Sequence, residues 1–209
     1  IASAASILAA GVDSSGVIGT TGALQVSSAG AGSLHGQVAS GADISVTGTG
    51  LDISAANVNA QNASLTATTQ GINASKATVA LKGKLTALAQ TTLITDDATA
   101  NATQLNLTAH DLSNVGGKLQ QSGTGDLTIN LPGNLDNTGG TIAANSQNLS
   151  LSASALTNAT GGTIQHAGTG TLAIHGTNLS GKDGTIVSNG ALDLKGGAIN
   201  LSNAMTGAK

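Results

Sequence analysis

The chain has no cysteine, phenylalanine, tyrosine or tryptophan, a single proline, and neither arginine nor glutamate, so that every acid is Asp and every base is Lys. Each absence removes a class of answer. Without cysteine there are no disulfides and no thiol chemistry, which agrees with passage through an oxidising compartment. Without aromatics there is no platform for base stacking, and a net charge of −3 with no clustered sign leaves no footprint for nucleic acid. No apolar run approaches the roughly eighteen residues of a membrane-crossing helix. Residues 1–10 are apolar but carry no basic leader, so they do not read as a signal peptide. The first residue is not Met, and the repeats described next run nearly to the last one, so the chain reads as a piece of a longer protein.

What is present is repetition. Apolar pairs at alternate positions open successive units at Leu105/Leu107, Leu127/Ile129, Leu149/Leu151, Leu172/Ile174 and Leu192/Leu194, spaced by 22, 22, 23 and 20 residues. A single aliphatic follows in each unit (Leu112, Leu135, Leu156, Leu179, Ile199). In three units an Asn stands two positions later: Asn114, Asn137 and Asn158. A Gly-Gly or Asp-Gly turn, with Gly117, Gly140 and Gly162 as second glycines, leads to a closing aliphatic at Leu119, Ile142, Ile164 or Ile186.

A fixed period near twenty residues with alternation of period 2 inside each segment means a solenoid of short strands. The expected fold is an all-β, single-stranded parallel β-helix of about ten coils of 20–23 residues, with right-handed crossovers the safer choice. Ten coils at roughly 4.8 Å give a rod about 48 Å long. Leu127, Leu149 and Leu172 are the structural repeat positions that open its coils. Glycine supplies the positive φ of the turns, and stacked Asn side chains are expected to bond to one another and to the turn backbone.

The organisation is one continuous solenoid in three stretches. Residues 1–22 read as an incomplete first coil or extension with a short helical piece. Residues 23–104 read as coils with weaker punctuation, whose first ladder runs Leu24/Val26, Ile44/Val46, Leu65/Ala67, Leu85/Ala87. A second ladder there is Leu51, Ile72, Leu93, Leu112, and a third is Val38, Val58, Val79, Thr99, Leu119. Residues 105–209 carry the full repeat. Pro132 falls between a first and a second strand, where a missing donor does least harm.

Units such as "LTINLPGNLDNTGGTIAA", "LSLSASALTNATGGTI" and "LDLKGGAINLSNA" resemble the haemagglutinin repeats of large two-partner-secreted exoproteins, the filamentous haemagglutinins and the contact-dependent growth inhibition effectors. The resemblance covers residues 24–204. It implies a β-helical stalk at the surface of a Gram-negative bacterium, exported through an outer-membrane transporter and carrying an adhesive, receptor-binding or toxin-delivering region toward a target cell. Neither the family's secretion-domain motifs nor a C-terminal toxin is visible. The alternative is a carbohydrate-binding or carbohydrate-active β-helix, which would need convergent charged groups on one face.

The chemistry-bearing residues are few. Asp96 and Asp97 are the densest acidic point, and a catalytic or metal role would need Lys76, Asp52 or His110 from neighbouring coils; a solvated turn is the expected role. His110 and Asp111 are neighbours expected to face opposite ways, hence not a dyad. His166 and His175 are expected to be surface polar residues without a third ligand. Thr47/Thr49 and Thr66/Thr68 do not recur once per coil, so no ice-binding lattice is expected. The reading is therefore no enzyme, no cofactor and no metal, with end-to-end self-association of the isolated chain as a further expectation, because cut coils leave unpaired edges.

Overall fold

The structure, a computed structural model, describes residues 3–209. These form an all-β parallel solenoid of about ten coils without a helix. In the first seven coils each turn of chain makes three short strands, as in Leu24–Ser28, Gly32–Leu34 and Gln37–Ser40. Each strand pairs with its counterpart roughly one period away, so the rod has three faces.

Side chains alternate between core and solvent along most strands, as a two-residue period requires. Asp43–Gly48 shows it: Ile44 and Val46 are buried while Ser45 and Thr47 lie toward solvent. Parallel sheets usually bury both faces. Here the outer positions are filled mostly by Ser, Thr, Asn and Asp, with Gln and Lys at others such as Gln25, Lys84 and Lys118. Inside, buried aliphatics from Leu24 to Ile186 form one continuous cluster along the rod. Each fully buried Leu or Ile contributes about 1.5–3 kcal/mol.

The second-face ladder is in register from Leu51 through Ile72, Leu93, Leu112, Leu135, Leu156 and Leu179 to Ile199. Four details differ from the sequence reading. Residues 3–22 hold no helix but a coil of three strands, Ala5–Ala9, Val12–Ser14 and Val17–Thr20, templated by parallel pairing to the next coil. Ile1 and Ala2 lie outside the described residues. In the first ladder Ala63 and Leu65, rather than Leu65 and Ala67, stack on Ile44 and Val46. In the third ladder the inward residue is Ala100 and not Thr99, since Val79 pairs with Ala100 and Ala100 with Leu119. A shift of two preserves the face and a shift of one reverses it, and in both places the smaller residue, Ala63 or Ala100, takes the ladder position.

The fourth difference is architectural. The first-face sheet ends at Gln104–Thr108, and the next strand of the chain on that side, Leu127–Asn130, pairs only with the strand above it. From there the first and second faces merge. Leu149–Thr157, Thr171–Ser180 and Ala191–Asn200 run through what was a corner, and Leu149–Thr157 pairs with both Leu127–Asn130 and Asn134–Asp136. Pro132 sits in the gap between those two shorter strands, outside any ladder.

Candidate functional site

The most developed polar structure lies at the corner between the second and third faces. Asn114, Asn137 and Asn158 are fully buried there. Asn114 Nδ2 donates to Asn137 Oδ1 at 2.6 Å, and Asn137 Nδ2 donates to Asn158 Oδ1 at 2.6 Å. A carboxamide carries donor and acceptor side by side, so a head-to-tail column of amides can follow the coil spacing along the rod. The remaining donor capacity reaches turn carbonyls: Asn137 Nδ2 to Gly140 O and Thr163 O, Asn158 Nδ2 to Gly162 O and Thr185 O. At the lower end the Thr95 hydroxyl donates to Asn114 Oδ1 at 2.9 Å.

The glycine pairs of this corner divide their work. The first of each pair has positive φ, 65° at Gly116, 63° at Gly139 and 82° at Gly161. Ala55, Lys76, Asp97, Thr160, Asp183 and Asn203 adopt the same left-handed conformation at this corner in their coils, so glycine is favoured there but not required. The second glycines, Gly117, Gly140 and Gly162, are not in that region; their constraint is space. A Cβ on Gly140 would lie 2.0 Å from Asn114 O and 2.8 Å from Asn137 Oδ1. Backbone and amide column occupy the room of a side chain.

A second polar column stands at the corner between the third and first faces. Gln121, Ala144, His166 and Ser188 are in register there and point inward. His166 Nε2 lies 2.9 Å from Ser146 O, a carbonyl that only accepts, so Nε2 carries the proton. Nδ1 then accepts from Ser188 Oγ at 2.9 Å. The expectation of a surface His166 is thus corrected: Ile164 points in and Gln165 out, and alternation carries His166 back in. The adjoining Ser146 Oγ is buried without a hydrogen-bond partner.

The other sequence candidates do not converge. Asp96 Oδ1 accepts from Ser113 Oγ at 2.6 Å and Val115 N at 2.9 Å, tying one coil to the next. Asp97 and Lys76 occupy equivalent turn positions, and Lys76 N donates to Asp96 O. Asp52 Oδ1 accepts from Ser54 N, and its Oδ2 is 3.9 Å from His35 Nε2. Among the described residues no ion pair joins Lys76, Asp52 or His110 to Asp96 or Asp97. His175 is on the outer surface, 3.1 Å from Asp193 Oδ2, which also accepts from Lys195 at 2.9 Å. Among the described residues no three His, Cys, Asp or Glu side chains gather as a metal site.

His110 and Asp111 require a correction. His110 Nδ1 and Asp111 Oδ2 are 2.8 Å apart. His110 is not in a strand but at the bend before Asp111–Ser113, so strand alternation does not apply and the chain turns both side chains to one side. This hydrogen bond, helped by the Asn134 N–H, holds the Asp111 carboxyl below its ordinary range. Asp193 is lowered likewise, first by Lys195 and then by His175.

Two features had no counterpart in the sequence reading. Ser33 Oγ and Ser54 O bracket the His35 ring at 2.6 Å and 3.0 Å, beside a shallow groove of about 460 Å³ on the second face. That groove is lined by Ser33, Gln70, Asn73 and Thr91 with Asp52 as its single charged group. Gln121 is the other, and its inward position follows from Leu119 by alternation, a signal the sequence did carry.

No protein-family model and no solved structure matches the chain. Over 152 residues, 73% of its length, it is 38% identical to a protein named Toxin CdiA from Yersinia pestis. It is similar to one segment of that toxin. The chain spans only about 5% of the relative's length, so the likeness concerns a small part of a very long protein.

Proposed function

We propose that this chain is an internal stalk segment of a large secreted exoprotein, holding an adhesive, receptor-binding or toxin-delivering region away from the outer membrane of a Gram-negative bacterium. Under this reading the segment has no catalytic activity of its own. The unbroken second-face ladder from Leu51 to Ile199 carries the proposal: a spacer depends on coil number and continuity, and this ladder supplies both. The small, mostly uncharged outer side chains support it, as does the likeness to a short stretch of a very long toxin. An outer-membrane transporter during export and a receptor on the target cell belong to the same proposal.

Distance is the property to test. With the chain placed between an outer-membrane anchor and a terminal fluorophore, the height of the fluorophore above the membrane should fall by about 4.8 Å for each whole coil removed. A height independent of coil number would overturn the stalk reading.

A further inference from the structure

The geometry points to a yield point built into the rod between Gln104–Thr108 and Leu127–Asn130, a joint held closed by the side chain of Gln121. It does not depend on whether the rod is a stalk.

Three observations place it. The first-face ladder stops at Gln104–Thr108, while the second and third faces continue past this level through Leu112–Leu135 and Leu119–Ile142. In a parallel strand the N–H and C=O of one residue point to the same neighbour, and those of the next residue to the other. Ala89 N donates to Thr108 O, so Thr108 faces the strand below and Leu105 and Leu107 face upward. Leu127 N and Leu131 N donate to Asn148 O and Ser152 O, so Thr128 and Asn130 face downward. Two strand edges therefore confront each other inside the rod without a ladder.

The second observation is what closes the gap. The Gln121 side chain is buried, its Oε1 accepts from Leu105 N at 3.0 Å, and its Nε2 donates to Gly125 O. One amide thus stands in for the missing strand, giving Leu105 an acceptor and pinning the corner above it. Gln104 Nε2 adds an outer tie to Asp126 O at 3.0 Å.

The third observation is the origin of the break. Thr103 alone separates Thr99–Ala102 from Gln104–Thr108, whereas residues 122–126 separate Lys118–Gln121 from Leu127–Asn130. The wider corner lets Leu127–Asn130 leave the old first face and align with the long strands above it. Local opening is set by how many backbone bonds must break together, and here one of three faces has no ladder to break. The rod should flex at this level as two stiff blocks joined along two faces.

Hydrogen exchange on the whole chain tests it. The amides that face the gap, those of Leu107, Thr128 and Asn130, should exchange about tenfold or more faster than those of Lys84–Leu88 and Asn62–Ala67. Gln121→Met keeps the bulk and removes both amide bonds, and should speed exchange at Leu105, whose N–H loses its acceptor, and at Leu107 several-fold while leaving Asn62–Ala67 unchanged. Equal protection of all first-face strands in the unaltered chain would overturn the proposal. So would Gln121→Met leaving Leu105 and Leu107 unaffected. If Gln121→Met does not fold, the unaltered chain and Gln104→Ala decide: the latter cuts only the outer tie and should raise exchange at the same residues, and no change there would count against the joint.

Discussion

Asn137 Nδ2 donates to Asn158 Oδ1 while Asn137 Oδ1 accepts from Asn114 Nδ2, each at 2.6 Å, so the central amide of the column is bonded to both neighbours at once. Asn137→Ala removes both bonds and leaves the buried Asn158 Oδ1 without its donor, while Asn114 Nδ2 keeps Gly117 O and Thr141 O. At roughly 1–3 kcal/mol for a buried group left unsatisfied, the loss should be about 1–3 kcal/mol in chemical denaturation. Asn137→Asp should be worse, because an acceptor then faces Asn158 Oδ1. A loss under about 0.5 kcal/mol for Asn137→Ala would mean the column contributes nothing.

Gly139 and Gly140 are adjacent, and their substitutions should differ sharply. Gly139→Asn asks a residue tolerant of the left-handed region to adopt φ near 63°, as Asn203 does at 55° in its own turn, and should cost about 1 kcal/mol or less. Gly140→Ala puts a methyl 2.0 Å from Asn114 O, a backbone atom that cannot swing aside, and should cost about 3 kcal/mol or more. Thermal melts of the two variants should differ accordingly; the reverse order would show that φ governs both positions.

Acid should weaken the bend at His110. The Asp111 carboxyl is held below its ordinary value of 3.8 in the folded chain, so its contribution is present above that value and is lost as pH falls through the lower folded value. The stability difference between the native chain and Asp111→Asn should therefore shrink as pH falls below 3.8. Denaturation at pH 6 and pH 3 measures it, and a difference that grows in acid would contradict the assignment. Asp193 should behave with the same sign.

Coils should be exchangeable in whole numbers only. Deleting residues 127–148 joins Asp126 to Leu149, the residue paired with Leu127, and should leave a folded rod shorter by about 4.8 Å. Deleting residues 127–137 joins different corners and exposes several ladder aliphatics, each worth about 1.5–3 kcal/mol. Scattering and thermal unfolding should show the first variant near native and the second unfolded or aggregated; equal damage would deny that the coils are interchangeable.

The sequence by itself determined the solenoid. Leu, Ile and Val at alternate positions, recurring at about one coil length, can be buried together only if successive coils stack in parallel, and that argument needs no knowledge of any contact. It likewise placed Asn114, Asn137 and Asn158 at one corner, because equal offsets from equal ladder residues map to equal places in the coil.

Only the tertiary structure decided what depended on one residue of register or on the path of a corner. Ala63 against Ile44 and Ala100 against Val79 could not be chosen by hydrophobicity, since small and large residues fill the same interior. His110 meets Asp111 because the chain bends there, and a bend suspends the alternation from which side-chain direction is inferred. The lapse in pairing between Gln104–Thr108 and Leu127–Asn130 is the extreme case. The aliphatics Leu105, Leu107, Leu127 and Ile129 remain buried and keep their period across it, while the ladder does not, because burial is non-directional and a hydrogen bond requires alignment.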